Sequence, residues 1–121
     1  MIRLAIAEPN TIVRWALREA LSRVDDIDVA AAVGTAAETL DMVQRDSPDV
    51  LLIGLLLPDR AGLDVVAELR LLDNAPLVIV LGTHADGNLA ARAIAAGAHG
   101  YLGCGCGVCS PGMRKSTQWR G

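Results

Sequence analysis

The chain has 121 residues, enough to bury one hydrophobic core but not two. Apolar residues make up 52% of the chain, yet no stretch approaches the roughly 18 uncharged apolar residues of a membrane span. The N-terminus also lacks the pattern of a secretory signal. We therefore expect a soluble cytoplasmic protein without membrane contact. The net charge is −3, but residues 1–103 hold all 14 acidic residues and only eight arginines. An acidic body of this kind argues against direct binding of nucleic acid.

Short apolar runs alternate along the chain with segments of helical period. This alternation is typical of βαβ units stacked around a parallel sheet. The third and fourth runs are apolar almost throughout, as expected of strands that helices cover on both faces. The pattern therefore predicts a doubly wound α/β fold with a parallel sheet of five strands. The predicted strands are residues 3–7, 28–33, 50–55, 77–81 and 100–102.

Four helices are predicted between these strands. The second begins with a capping box, in which the side chains of Thr35 and Glu38 satisfy free amide groups of the first turn, and its buried stripe is expected at Leu40 and Val43. The fourth ends at Gly97, a residue suited to the C-cap. The apolar positions that define the other three are Ile12, Val13, Ala16, Leu17, Ala20, Leu21 and Val24 in the first, Leu63, Val66, Leu69 and Leu72 in the third, and Leu89, Ala90, Ala93 and Ile94 in the fourth.

The sequence changes character after Gly103. Residues 104–121 show neither helical nor strand period and are rich in turn-forming residues, so we predict one domain at 1–103 and an irregular or disordered tail at 104–121. Three thiols in this tail, Cys104, Cys106 and Cys109, are close enough in sequence to bind Zn²⁺ or Cu(I), although a closed zinc site has four ligands. An incidental run of free thiols in a reducing cytoplasm is the simpler interpretation, and a thiol- or metal-responsive module is the alternative.

Three stretches in register resemble the receiver domains of bacterial response regulators, most closely those that precede a helix-turn-helix DNA-binding domain. They read IRLAIAE at 2–8, PDVLLIG at 48–54 followed by LP at 57–58 and GL at 62–63, and AAGAHGYL at 95–102. The resemblance covers residues 1–103. It implies a flavodoxin-like sheet with the strand order 2-1-3-4-5, and a role in two-component signal transduction and transcription regulation rather than catalysis.

The chain departs from this family at the residues that bind Mg²⁺ and phosphate. In the family, two acidic residues after the first strand and an aspartate at the end of the third strand hold Mg²⁺, and that aspartate accepts the phosphoryl group. Here the acidic pair falls on Glu8 and Pro9, and the phosphoacceptor position is Gly54. Glycine offers neither a nucleophile nor a metal ligand. We therefore expect no phosphorylation at the family site and weak or absent binding of Mg²⁺.

The switch positions of the family are altered as well. The hydroxyl residue that ends the fourth strand corresponds to Gly82, with Thr83 one place further on, and the lysine that pairs with the phosphoryl group corresponds to Cys104. Tyr101 matches the aromatic switch position, where it either toggles between buried and exposed rotamers or simply packs on an edge strand. The resemblance thus implies a degenerate receiver that acts through protein contacts or a small ligand.

A receiver normally ends in a fifth amphipathic helix, and no helical period follows the fifth strand here. Part of one sheet face and one side of the first helix, around Ala16 and Ala20, should then be uncovered. We expect that face to bind a protein partner or a second copy of the chain. Irregular covering by the tail, or a truncated fragment without autonomous function, are the alternatives.

Overall fold

The computed structural model describes residues 1–82 and 87–103. The predicted strands are confirmed to within one residue at each end, whereas the third helix is shorter than predicted and leaves Leu72 beyond its end. Thr83 and the tail at 104–121, with its three cysteines, lie outside the described residues. The elements in chain order are β1 (Ile2–Ala7), α1 (Thr11–Ser22), β2 (Ile27–Val33), α2 (Ala36–Asp46), β3 (Val50–Gly54), α3 (Gly62–Leu69), β4 (Leu77–Gly82), α4 (Gly87–Ala96) and β5 (Gly100–Gly103).

All five strands are parallel and lie in the order β2-β1-β3-β4-β5, which confirms the flavodoxin-like topology. Register pairs Gly54 of β3 with Leu81 of β4, and Gly82 of β4 with Gly103 of β5. The carboxyl ends of neighbouring strands therefore meet at one edge of the sheet. In folds of this kind, ligands bind at that edge, where the strand order reverses between β1 and β3. None of the helices in the described part of the chain is long and apolar enough to cross a membrane.

The two faces of the sheet are buried to very different degrees. Because side chains alternate along a strand, Ala5 and Ala7 of β1 face the larger core, while Leu4 and Ile6 face the smaller one. The larger core includes the buried side chains of α2, α3 and α4. In the smaller core the buried residues are Leu4, Ile6 and Leu52, against which part of α1 packs. One layer of the fold is therefore far better packed than the other.

Helix α1 lies on the poorly packed face. Its N-cap is Asn10, whose side-chain oxygen accepts hydrogen bonds from the amides of Ile12 (2.9 Å) and Val13 (3.0 Å). No residue of this helix is buried, and Ala16 and Ala20 are both exposed. The helix is well formed at its start but weakly covered.

Helix α2 begins as predicted and buries more residues than the predicted stripe. The hydroxyl of Thr35 accepts a hydrogen bond from the amide of Glu38 at 3.1 Å, which confirms the cap. Val43 is buried as expected, whereas Leu40 is only partly buried. The remaining buried positions are Ala36, Thr39 and Met42. Ala36, Thr39 and Val43 lie at helical spacing on the face that also carries Leu40, and Met42 lies beside that face.

Candidate functional site

The structure brings Glu8, Pro9 and Gly54 together at the carboxyl edge of the sheet. A Cβ atom built on Gly54 would lie 3.2 Å from Oε1 of Glu8 and 3.3 Å from Cδ of Pro9. Gly54 is buried, and the other two residues are half-buried. The predicted acidic pocket and the predicted phosphoacceptor position are thus in direct contact, at the point where the strand order reverses between β1 and β3.

Backbone and side-chain hydrogen bonds hold Glu8 in this place. Its amide donates to the carbonyl of Val33 at 3.0 Å, and its Oε2 accepts from the amide of Asn10 at 2.9 Å. Its carbonyl accepts from Nη1 of Arg14 at 2.7 Å. The turn from β1 into α1 therefore fixes both the backbone and the carboxylate of this residue. Sequence reasoning did not single out Arg14, which looks like any other polar position of an amphipathic helix.

A tight loop follows Gly54 and closes one side of the site. The amide of Gly62 donates to the carbonyl of Leu55 at 2.7 Å, and a Cβ on Gly62 would overlap the carbonyl of Gly54. A glycine is needed here because the loop returns directly onto the strand. Within the loop Leu57 is buried, while Leu56, two residues after Gly54, is 73% exposed. The loop therefore presents an apolar side chain to solvent beside the site.

Asp59 connects the same loop to α2. Its Oδ1 accepts from the amide of Ala36 at 2.8 Å and its Oδ2 accepts from the amide of Ala37 at 3.0 Å. These two backbone hydrogen bonds lower the pKa of Asp59 below its ordinary value of 3.8. The carboxylate is an additional cap at the positive end of the helix. Sequence reasoning missed this role, because nothing local to Asp59 marks a contact with residues more than 20 positions earlier in the chain.

The predicted switch positions Gly82 and Tyr101 also meet at the carboxyl edge. Tyr101 is only 2% exposed and lies opposite Val80 in the register of β4 and β5. Its ring covers the Cα of Gly82: a Cβ built there would overlap the phenol oxygen and lie 2.6 Å from Cζ. Of the two rotamers considered from the sequence, the structure shows the buried one.

The described residues place few metal-binding side chains at this edge of the sheet. Among residues 1–82 and 87–103, no group of three or more His, Cys, Asp or Glu side chains is arranged to hold a metal ion. The neighbours of the Gly54 Cα include one carboxylate, that of Glu8. Mg²⁺ is usually bound through one or two carboxylates together with phosphate oxygens and water. At Gly54 the protein offers Oε1 of Glu8, while Oε2 of the same carboxylate accepts a hydrogen bond from the amide of Asn10.

Comparison with known proteins identifies a family and relatives that agree with the observed fold. The family model of the response regulator receiver domain matches residues 4–103. An uncharacterised transcriptional regulatory protein of Bacillus subtilis (strain 168), YvfU, is 37% identical over 102 residues, which are 84% of this chain and 51% of that protein. The transcriptional regulatory protein DesR of the same organism is 34% identical over 102 residues, again 84% of this chain and 50% of that protein. The chain thus spans about half the length of these relatives.

A solved structure shares the fold. The signal receiver domain of the response regulator NarL from Mycobacterium tuberculosis matches with a TM-score of 0.81 and 21% sequence identity, over 99% of this chain and 97% of that structure.

Proposed function

Because this chain belongs to the response regulator receiver domain family, we propose that it is a signalling module which acts without a phosphoryl group at the family's acceptor position. The observation that carries this proposal is the environment of Gly54, which lies at the end of β3 with a hydrogen atom where the family has a reactive carboxylate. The nearest acidic group is that of Glu8, whose Oε2 accepts a hydrogen bond from the amide of Asn10 and whose Oε1 lies 3.2 Å from the Cβ position of Gly54. The module is not an enzyme in this proposal, since no nucleophile stands at that position.

The position of Pro9 supports the same interpretation. In the family resemblance this residue replaces the second acid of the Mg²⁺ site, and here its ring lies against the Cα of Gly54. A proline ring in this place supplies no oxygen ligand and excludes water from one side of Gly54. These groups are suited to a contact with a protein or a neutral ligand better than to phosphate and a divalent cation.

The proposal is tested by phosphate uptake. The full chain is incubated with acetyl phosphate and MgCl₂, and incorporated phosphate is measured by intact-protein mass spectrometry. We expect none in the wild type. Stoichiometric incorporation that disappears on substitution of one residue would overturn the proposal.

A matched pair of variants tests the geometry behind it. Gly54→Asp places a second carboxylate beside Glu8, whereas Gly54→Asn adds a side chain of the same size without the charge. Binding of Mg²⁺, followed by calorimetry, is expected to increase in Gly54→Asp alone, because two adjacent carboxylates complete the protein part of a magnesium site. Equal binding by both variants would show that Glu8 is not placed as a ligand.

We propose that α1 provides the contact surface of the module. Its exposed apolar side chains are Ile12, Val13, Trp15, Ala16 and Ala20, and with Val24, which follows the end of the helix, they form a surface that we call the α1 flank. Ile12 is 76% exposed, an unusual state for a large apolar side chain at the start of a helix that packs on a sheet. The flank adjoins the smaller core, so a protein partner or a second copy seated there would extend that core. Since the similar B. subtilis proteins are transcriptional regulators, we place the module in the control of transcription.

A further inference from the structure

The buried side chain of Tyr101 occupies the space that Gly82 leaves open. The phenol lies against the Cα of Gly82, and a Cβ there would lie 2.6 Å from Cζ and 3.0 Å from Cε1. These atoms belong to a rigid ring rather than to the end of a flexible chain. The backbone beneath the ring is fixed too, since β5 is paired in register with β4 from Ile79 to Gly82. A side chain at position 82 and the ring of Tyr101 cannot both occupy this site.

We propose that Gly82 locks Tyr101 in its buried position, so that this tyrosine does not exchange with solvent and the β4–β5 edge has a single state. Burial of the ring removes its apolar surface from water, and the glycine eliminates the steric conflict that would otherwise eject it. The chain therefore carries a fixed conformation at this edge without any ligand. This inference deepens the proposed function, because a module that takes up no phosphate has no covalent signal with which to move the ring.

The single tyrosine of the chain makes the lock directly measurable. The full chain is labelled with tyrosine carrying ¹³C at the ε carbons, and the ring signals are recorded by NMR while a soluble nitroxide is added. We expect ring signals that resist broadening. Broadening as strong as that of free tyrosine would overturn the proposal.

Substitution at position 82 tests the cause of the burial. Gly82→Ala and Gly82→Thr are expected to move the ring toward solvent, which makes its signals sensitive to the nitroxide. The control is Leu81→Val, in the same strand but with its side chain packed against the smaller core on the opposite face. If the ring stays protected in both Gly82 variants, the glycine is not the lock.

A double-mutant cycle tests the same steric conflict if the Gly82 variants fold poorly. Gly82→Ala is combined with Tyr101→Leu, whose side chain lacks the ring atoms that conflict with a Cβ at position 82. The alanine should lower the urea midpoint with tyrosine present and have a much smaller effect with leucine present. Equal losses in both backgrounds would mean that Gly82 is required by the backbone alone. Neither readout depends on phosphate, so this proposal and the proposed function fail separately.

Discussion

Two alanine-to-glutamate substitutions distinguish an open α1 flank from a covered one. Ala20 of α1 is exposed, whereas Ala93 of α4 is fully buried in the larger core. At pH 7 a buried glutamic acid that stays protonated costs about 3.7 kcal/mol relative to the unfolded chain, where its pKa is about 4.3. Overpacking adds about 1–3 kcal/mol. Ala93→Glu should therefore lower the free energy of unfolding by about 5–7 kcal/mol. That loss approaches the whole stability of a domain, about 5–15 kcal/mol.

Ala20→Glu should stay within about 0.5 kcal/mol of the wild type, because an exposed helical position tolerates either residue. Both variants are measured by urea unfolding, followed by far-ultraviolet circular dichroism at pH 7. A loss of more than about 2 kcal/mol for Ala20→Glu would refute the reasoning, since a cost of that size is diagnostic of a covered position. If the loss appears only at high protein concentration, a second copy covers the flank.

Two further perturbations test the loop after β3. Replacing Asp59 with alanine should lower the urea midpoint at neutral pH, because the two hydrogen bonds to α2 are lost. The difference in midpoint from the wild type should shrink in acid, as the wild-type carboxylate is protonated at its lowered pKa. A difference that stays constant into strong acid would contradict the role of the charge. Gly62→Ala should lower the free energy of unfolding by about 1–3 kcal/mol. The added methyl group meets the carbonyl of Gly54, which is a backbone group and cannot move aside as a flexible side chain could. A loss within about 0.5 kcal/mol for Gly62→Ala, the range of an ordinary surface substitution, would contradict the reasoning.

The fold was largely predictable because its signals are local. Strands were found from short apolar runs, and the start of α2 from the capping box of Thr35 and Glu38. The C-cap at Gly97, whose φ is +121°, followed from the freedom of glycine in that region. The stripe of α2 was predicted in part, since Val43 is buried and Leu40 packs against the larger core, whereas the burial of Met42 was not predicted.

The candidate site was predictable in its membership but not in its contacts. Glu8, Pro9 and Gly54 were named from the sequence, and the parallel sheet brings them together. The packing of Tyr101 on Gly82 was not predicted, because a ring that toggles between buried and exposed rotamers and a ring packed on an edge strand were equally compatible with the sequence. The cap that Asp59 provides to α2 was also missed, since it joins segments that only the tertiary fold brings together.

Because the two sides of the sheet are buried unequally, α1 should detach from the sheet more easily than the helices of the opposite layer. Helix α1 contributes no buried residue, so detaching it would open only the smaller core, whereas separating α2, α3 and α4 from the sheet would open the whole larger core. Segments held by few buried contacts open locally, at a small fraction of the free energy of global unfolding. The amide protons of α1 would then exchange with solvent while the opposite layer stays intact. A partner that prefers the detached helix would need only a modest difference in affinity to select it.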